Sequence, residues 1–462
     1  MRASLISKPL LLGALLCAPL AAQALEIVVT KNEDSYDASC DSDCSLREAV
    51  ALASSTAGSH LIRLPAGVFQ LSLAPMTEDD GWTTTVLDDD FSLDGDLDVY
   101  NSLRIVGAGP DQTIIDGGGI DRIFEVFDGA SLMLERLQLR NGRHSYDGGA
   151  IRNHGTLSLG KVDLLRNRAT NAFNQARGGA IANYGSLVIL HANLLNNWVG
   201  TGDTSWALGG AVFNEGQLMV RDSRFSDNSV STDDVISSGG ALFNLGRADI
   251  ARSLFDGNSA SDGTGSAISN EDGGILKLSN STVTGNDTYG LYDAGAINNG
   301  SGYPYNRNYP TPVRAPQMQL IHVTIAANSG TYAVENHGAL NVRNSLIFSG
   351  LNGEWDQLQG CINRGANATF NARGLMLSEG DGNCVGDLPP VSDAQIFSQV
   401  LYPLADNNSA IPSHALRRGS PAVDAGVGSC ASHDQRGFSR PRDGNGDGVA
   451  NCDLGAYERM KP

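Results

Sequence analysis

The 462-residue sequence predicts an all-β chain wound as a right-handed parallel β-helix, a solenoid with an N-terminal helical cap and a disulfide-containing C-terminal segment. Three observations lead there. A dozen residues recur almost unchanged, as "GGAIRNHGTLSL" from Gly148, "GGAIANYGSLVIL" from Gly178, "GGAVFNEGQLMV" from Gly209 and "GGALFNLGRADI" from Gly239. Within them apolar residues alternate, at Leu157 and Leu159, Leu187 and Ile189, Leu218 and Val220, which is the period of short strands and not of helices. The units are about thirty residues long, shorter than the ~40-residue blade of a β-propeller, and a unit so small buries its apolar face only against its neighbours. Parallel crossovers are overwhelmingly right-handed, which sets the expected hand.

In chain order, residues 1–24 come first. Arg2 and Lys8, an apolar run from Leu10 to Leu20 and the small-residue pattern Ala22-Gln23-Ala24 read as a secretory signal peptide cleaved before Leu25. Leu16 stands where lipidation of Cys17 needs a small residue, so plain cleavage is expected. No second stretch reaches the roughly 20 apolar residues of a membrane span, and the chain stops at "AYERMKP" without a tail anchor. The expected localisation is therefore exported: secreted, on the outer surface, or in the periplasm. Without Arg2 and Lys8, 30 basic residues face 51 acidic ones, a formal charge of −21 that disfavours nucleic acid and anionic membranes as partners. The six remaining cysteines fall in sequence-local pairs, so an oxidising compartment predicts the disulfides Cys40–Cys44, Cys361–Cys384 and Cys430–Cys452 in preference to metal thiolates.

Residues 25–110 hold the cap and the first coils. Ser45 and Glu48 have the spacing of a capping box, and Leu46, Ala49, Val50 and Ala53 share one helical face, as a short helix laid over an open strand edge requires. Residues 111–350 are the coils proper. With Ala150, Ala180, Ala211 and Ala241 in register, asparagines align at Asn153, Asn183, Asn214 and Asn244, and again at Asn167, Asn197, Asn228 and Asn258. Asparagine tolerates left-handed turns, and stacked amides hydrogen-bond to one another, so both roles are expected of these columns. Upstream, Phe124 and Asn141 are expected where Ala150 and Asn167 stand in the next unit. Weaker units follow at Gly265, Ala294 and Ala333, and eight turns at ~4.8 Å give a rod on the order of 35–40 Å. Residues 351–462 form the C-terminal segment.

Both ends resemble a known family. "CSLREAVALAS", with the coils "IRLPAGVFQLSL" and "LRIVGAGPDQTIIDGGG" that follow, resembles the CSLREA element of bacterial exported β-helix proteins of the polymorphic outer-membrane-protein type. "LADNNSAIPSHALRRGSPAVDAG" and "DQRGFSRPRDGNGDGVANCDLGAYE" resemble the C-terminal segment known as the choice-of-anchor Q domain. The resemblance implies an exported protein, in a family whose members often carry a sorting tail that this chain lacks. It implies no reaction.

Clustered carboxylates with histidine, or with an arginine or lysine base beside calcium, would mark a polysaccharide-active enzyme of the β-helix type. Neither a "GHG" nor a "RIK" element occurs. His154 and His337 share one repeat column with Tyr184, Glu215 and Leu245, and read as turn residues. Asp116, Asp121 and Arg122 read as solvated turn residues. In "DGNGDG", the oxygens of Asp443, Asn445 and Asp447 reproduce the first half of a calcium loop that Asp453 would help complete. A structural calcium and a plain Asp/Gly turn held by Cys430 and Cys452 are both open, and no other cofactor is expected. Aromatic residues gather in the connectors, at Phe173, Trp198 and Trp206 and at Tyr303, Tyr305 and Tyr309 of "GSGYPYNRNYPTPVRAP". Either they align on one side of the rod as a binding surface or they fold back over the sheet. The expected function is an exported binding or adhesion protein that contacts glycans or a cell-surface partner. The alternative is a polysaccharide lyase or hydrolase.

Overall fold

The computed structural model describes residues 24–79, 84–86, 91–171, 174–202, 205–232, 237–261, 263–289, 295–300, 314–348, 350, 359–365, 367–379 and 383–460. The chain is a parallel β-helix. Ten short strands stack in register, running through Leu97–Val99, Phe124–Val126, Ile151–Asn153, Ile181–Asn183, Val212–Asn214, Leu242–Asn244, Ile268–Asn270, Gly295–Asn299, Tyr332–Asn336 and Gln359–Asn363. At ~4.8 Å per strand this second sheet is about 43 Å long. It faces a 19-stranded sheet that includes Thr156–Leu165, Ser186–Leu190 and Gln217–Arg221. Between them Ile151, Leu157, Leu159, Ile181, Leu187 and Ile189 and their counterparts make one continuous core.

The repeated "GGA" has a steric origin. Gly178 sits at φ +62°, and a Cβ on Gly179 would stand 2.2 Å from the Gly210 carbonyl of the next coil. Only glycine satisfies either position. The alanine that follows, such as Ala180, points into the core and is fully buried.

Each asparagine column is a ladder. The amide of Asn153 donates to Asn183 at 2.6 Å, Asn183 to Asn214 at 2.7 Å, Asn214 to Asn244 at 2.7 Å, and the series runs on through Asn270, Asn299 and Asn336 to Asn363. A second ladder joins Asn167, Asn197, Asn228, Asn258, Asn286 and Asn328 at 2.8–3.0 Å. The left-handed role expected of the same asparagines falls elsewhere. Positive φ belongs to the residues just before the second ladder, Arg166, Asn196 and Asp227, and to a corner column of Lys161, His191, Asp222 and Arg252.

The upstream unit departs from the expected alignment. Phe124 pairs with Ile151 and not with Ala150, and Asn141 lies one place before the ladder, where the Gly142 amide donates to Asn167. Four residues, Phe127–Ala130, connect the strands there, against His154 and Gly155 in the next coil, so a gapless alignment fails by this two-residue insertion.

The connectors form a side layer that the sequence reading had left unstructured. Strands such as Arg168–Asn171 and Trp198–Thr201 make a six-stranded sheet, and Ala176–Arg177, Ala207–Leu208, Ser237–Ser238 and Gly263–Thr264 a four-stranded one. Ala169, Ala176, Val199, Ala207, Val230 and Ala260 pack together between them.

The cap forms as expected. Helix Leu46–Ser55 starts with a complete Ser45–Glu48 capping box and buries Leu46, Ala49, Val50 and Ala53. It also buries Arg47, whose guanidinium donates to the carbonyls of Asp94, Gly95 and Asp96 and pairs with Asp34 at 2.8 Å. The last coil closes through Thr369–Leu377, and the rest of the C-terminal segment packs sideways on the long sheet, burying Ala326, Leu346, Phe348 and Met376 under Ile396, Leu401, Leu416 and Leu454. All three expected disulfides are present, Cys40–Cys44, Cys361–Cys384 and Cys430–Cys452. Among the described residues no helix is long and apolar enough to cross a membrane. The leader lies outside the described residues.

Candidate binding face

Residues two apart on a strand share a face, so the outer side of the ten-stranded sheet carries two parallel columns. One runs Asp98, Glu125, Arg152, Ala182, Phe213, Phe243, Ser269, Asn298, Glu335. The other is the corner just after each ladder asparagine, or after Val126 in the coil before the ladder: Phe127, His154, Tyr184, Glu215, Leu245, Glu271, Gly300, His337 and Arg364 each bond through the backbone N–H to the carbonyl of the coil before.

The corner column begins with two stacked ring pairs. Tyr100, 41% exposed, lies 4.2 Å from Phe127 at 15°. His154 lies 4.9 Å from Tyr184 at 10°, and Tyr184 leans on Phe213 at 5.8 Å. Phe127, His154 and Tyr184 are half-buried. Polar groups flank the rings: the Tyr184 hydroxyl donates to Asp147 and accepts from Arg177 at 3.3 Å, and Arg177 covers Phe213. Burial and the Asp147 carboxylate keep the Tyr184 phenol protonated by raising its pKa. Burial, with Arg152 beside it, lowers that of His154. At the Tyr100 end the column opens into a pocket of about 570 Å³ under the cap helix, lined by Tyr36, Leu52, Phe91 and Leu93. That volume lies within the range of ligand pockets.

Beside the rings, in the neighbouring column, is a buried ion cluster. Arg122, 1% exposed, reaches Asp96 at 3.2 Å, bonds to Glu125 and lies 2.7 Å from His144 Nε2. Arg152 reaches the other Glu125 oxygen at 3.4 Å. His144 is buried, and burial together with Arg122 and Arg152 pushes its pKa well down. Asp116 is buried too, held by Arg140 at 2.7 Å and by Asn141, and Asp121 is 2% exposed. This corrects the reading of Asp116, Asp121 and Arg122 as solvated turn residues. Facing arginines and amides stabilise the carboxylates that burial would otherwise penalise.

The sequence-predicted binding residues separate. Trp206 packs on Leu208, Phe213 and Phe243 beside Tyr184 and joins the face. Trp198 belongs to the side layer: its ring covers Gly200, where a Cβ would stand 2.2 Å away, and its indole N–H donates to Ser231 at 2.9 Å. Phe173, Tyr303, Tyr305 and Tyr309 lie outside the described residues.

In the calcium-like loop, Asp443 accepts from the amides of Gly446 and Gly448 at 2.6 and 3.0 Å, Asn445 accepts from Asp447, and Asp447 from Val449 at 2.8 Å. Asp453 turns inward and accepts from Asp424 and Arg459. A further carboxylate at the loop is Asp424, which accepts from Gly444 and Asn445 and had no signal in the sequence. Among the described residues no three His, Cys, Asp or Glu side chains are placed to hold a metal ion.

No protein-family model matches the chain, and no curated protein matches it. Among solved structures it is similar to the crystal structure of a pectate lyase, over 95% of this chain and 98% of that chain, at 14% identity and a TM-score of 0.42.

Proposed function

We propose that the protein is an exported glycan-binding protein whose ligand lies along the outer face of the ten-stranded sheet, on Tyr100, Phe127, His154 and Tyr184. The stacked, partly exposed corner column carries this reading. The outward edges of these paired rings make an apolar ledge for sugar C–H groups, and Asp147, Arg177 and the Tyr184 hydroxyl supply hydrogen bonds at the rim. A formal charge of −21 for the chain without its leader favours neutral glycans over uronate-rich polymers. Three disulfides fit an oxidising, extracytoplasmic compartment. A structural calcium at residues 443–447, with Asp424 as neighbouring carboxylate, belongs to this proposal as a stabiliser of the C-terminal segment only.

One observation favours the enzymatic alternative: Glu125, Arg122, Arg152 and His144 converge in the column beside His154. Arg122, Glu125 and His144 are buried, and Arg152, 35% exposed, is paired with Glu125, which favours a structural role because a general base must reach its substrate. A glycan array of the unmodified protein and of the Tyr100→Ala/Tyr184→Ala variant tests the proposal, beside reducing-end and unsaturated-uronate assays on pectin and alginate. Neutral-glycan binding that falls about tenfold or more in the variant supports it. Product formation that survives the variant replaces it with the enzyme.

A further inference from the structure

The C-terminal third of the same corner column holds a second cluster of different chemistry. His337 Nε2 lies 3.0 Å from Glu335 Oε1, and Arg364 reaches that oxygen at 3.6 Å. Arg364 also bonds to the Tyr332 hydroxyl and lies 4.9 Å over its ring, which fixes the guanidinium plane. The Glu335 side chain is 5% exposed, while those of His337 and Arg364 are 20% and 38% exposed, so a buried carboxylate orients two groups that face solvent. One coil earlier, Asn298 donates from Nδ2 to Glu271 at 2.9 Å, and Glu271 accepts from Ser269 at 2.8 Å. That bond fixes the Asn298 amide, and its Oδ1 is buried with no hydrogen-bond partner among the described residues.

We propose that His337 and Arg364, oriented by the buried Glu335, form a second subsite that reads the hydroxyl groups of the same glycan. This rests on the aromatic column being a glycan site. In the tautomer with its proton on Nε2, His337 donates to Glu335 and leaves Nδ1 as an acceptor, and Arg364 keeps N–H donors beyond those spent on Glu335 and Tyr332. A donor beside an acceptor matches a pair of neighbouring hydroxyls. An anionic substituent fits poorly, because Glu335 and Glu271 oppose the single guanidinium. From Tyr184 to His337 there are five strand steps, a span of about 24 Å, so one extended oligosaccharide reaches both subsites and a disaccharide does not.

The experiment is calorimetric titration with cello-oligosaccharides and xylo-oligosaccharides of two to eight sugars, on the unmodified protein, Tyr184→Ala, His337→Ala and Arg364→Gln. Affinity is expected to rise with chain length until the ligand spans both subsites. His337→Ala and Arg364→Gln are each expected to lose about tenfold on long chains and nothing on short ones. Arg364→Gln, at a half-exposed side chain, guards against a folding defect in His337→Ala. Affinity without length dependence, or a length dependence that both variants retain, overturns the second subsite and leaves the aromatic site standing if Tyr184→Ala still weakens binding. No binding of any chain by the unmodified protein overturns both.

Discussion

In the central coils buried polarity is carried by uncharged amides that repeat, Asn183 bonding to Asn214 and Asn214 to Asn244; in the C-terminal segment it is carried by ionisable groups that occur once. There Arg440, fully buried, donates to Glu458 at 3.0 Å and to the carbonyls of Asp453 and Gly455, and lies 3.1 Å from His322 on the rod. His414 contacts Thr284 at 2.9 Å, and Thr282 donates to Gln435. A ladder satisfies each amide with an identical neighbour and is indifferent to pH. A lock of charges satisfies its members only in one protonation state, so the two regions fail under different conditions.

The largest expected effect at neutral pH is in the ladder. Asn214→Ala strands the Asn183 donor and the Asn244 acceptor in the core, and chemical denaturation is expected to show a loss on the order of 3 kcal/mol or more, equal at pH 4 and pH 7. A loss that changes with pH would break the contrast.

Next comes acid sensitivity of the C-terminal segment. Burial, with Arg440 adjoining, holds His322 down to about 3, and burial holds His414 down to about 4. Both lie below the unfolded value of about 6.5, so their contribution is present above pH 6.5 and is lost as pH falls toward 4 for His414 and 3 for His322, at ~1.4 kcal/mol per unit each. Asp453 opposes them: burial, with Glu458 nearby, raises it to about 7, and its contribution is full at low pH and lost as pH rises through 7. Hydrogen exchange of residues 401–458 against pH separates the signs. His414→Gln is expected to make the segment less acid-sensitive and Asp453→Asn more so, while the ladder amides keep their protection in both. Unchanged pH profiles in both variants would remove the charge lock.

The smallest effect concerns calcium. At millimolar calcium the ion is expected to stabilise the C-terminal segment by ~1 kcal/mol, with the melting shift absent in Asp447→Ala. Identical curves in calcium and in chelator would retire the ion and leave a plain turn.

The same contrast explains what could be read from the sequence. Asn153, Asn183, Asn214 and Asn244 recur in register, so the coils, the ladders and the cap were legible. The lock was not, because His322 meets Arg440 once, 118 residues apart, and no period announces it. The binding face was half legible. His154 and Tyr184 were recognised as one column, but the two-residue insertion at Phe127–Ala130 hid Phe127 and Tyr100 from it. Trp198 drew notice as a connector aromatic, although Gly200, two residues on, makes room for its ring to lie on its own strand. The buried pairing of Arg122 was missed because Asp96 comes from the coil before and no repeated residue marks that register, although Glu125 stands only three residues on.

The central claim is that the corner column holds sugar. Its most direct test is a crystal structure of the protein soaked with the neutral oligosaccharide that binds best on the array. The account predicts sugar rings over Tyr100, Phe127, His154 and Tyr184, with the chain running along the coils toward His337. Sugar seated on another face, or a cleaved product held beside Arg152 and Glu125, would contradict it.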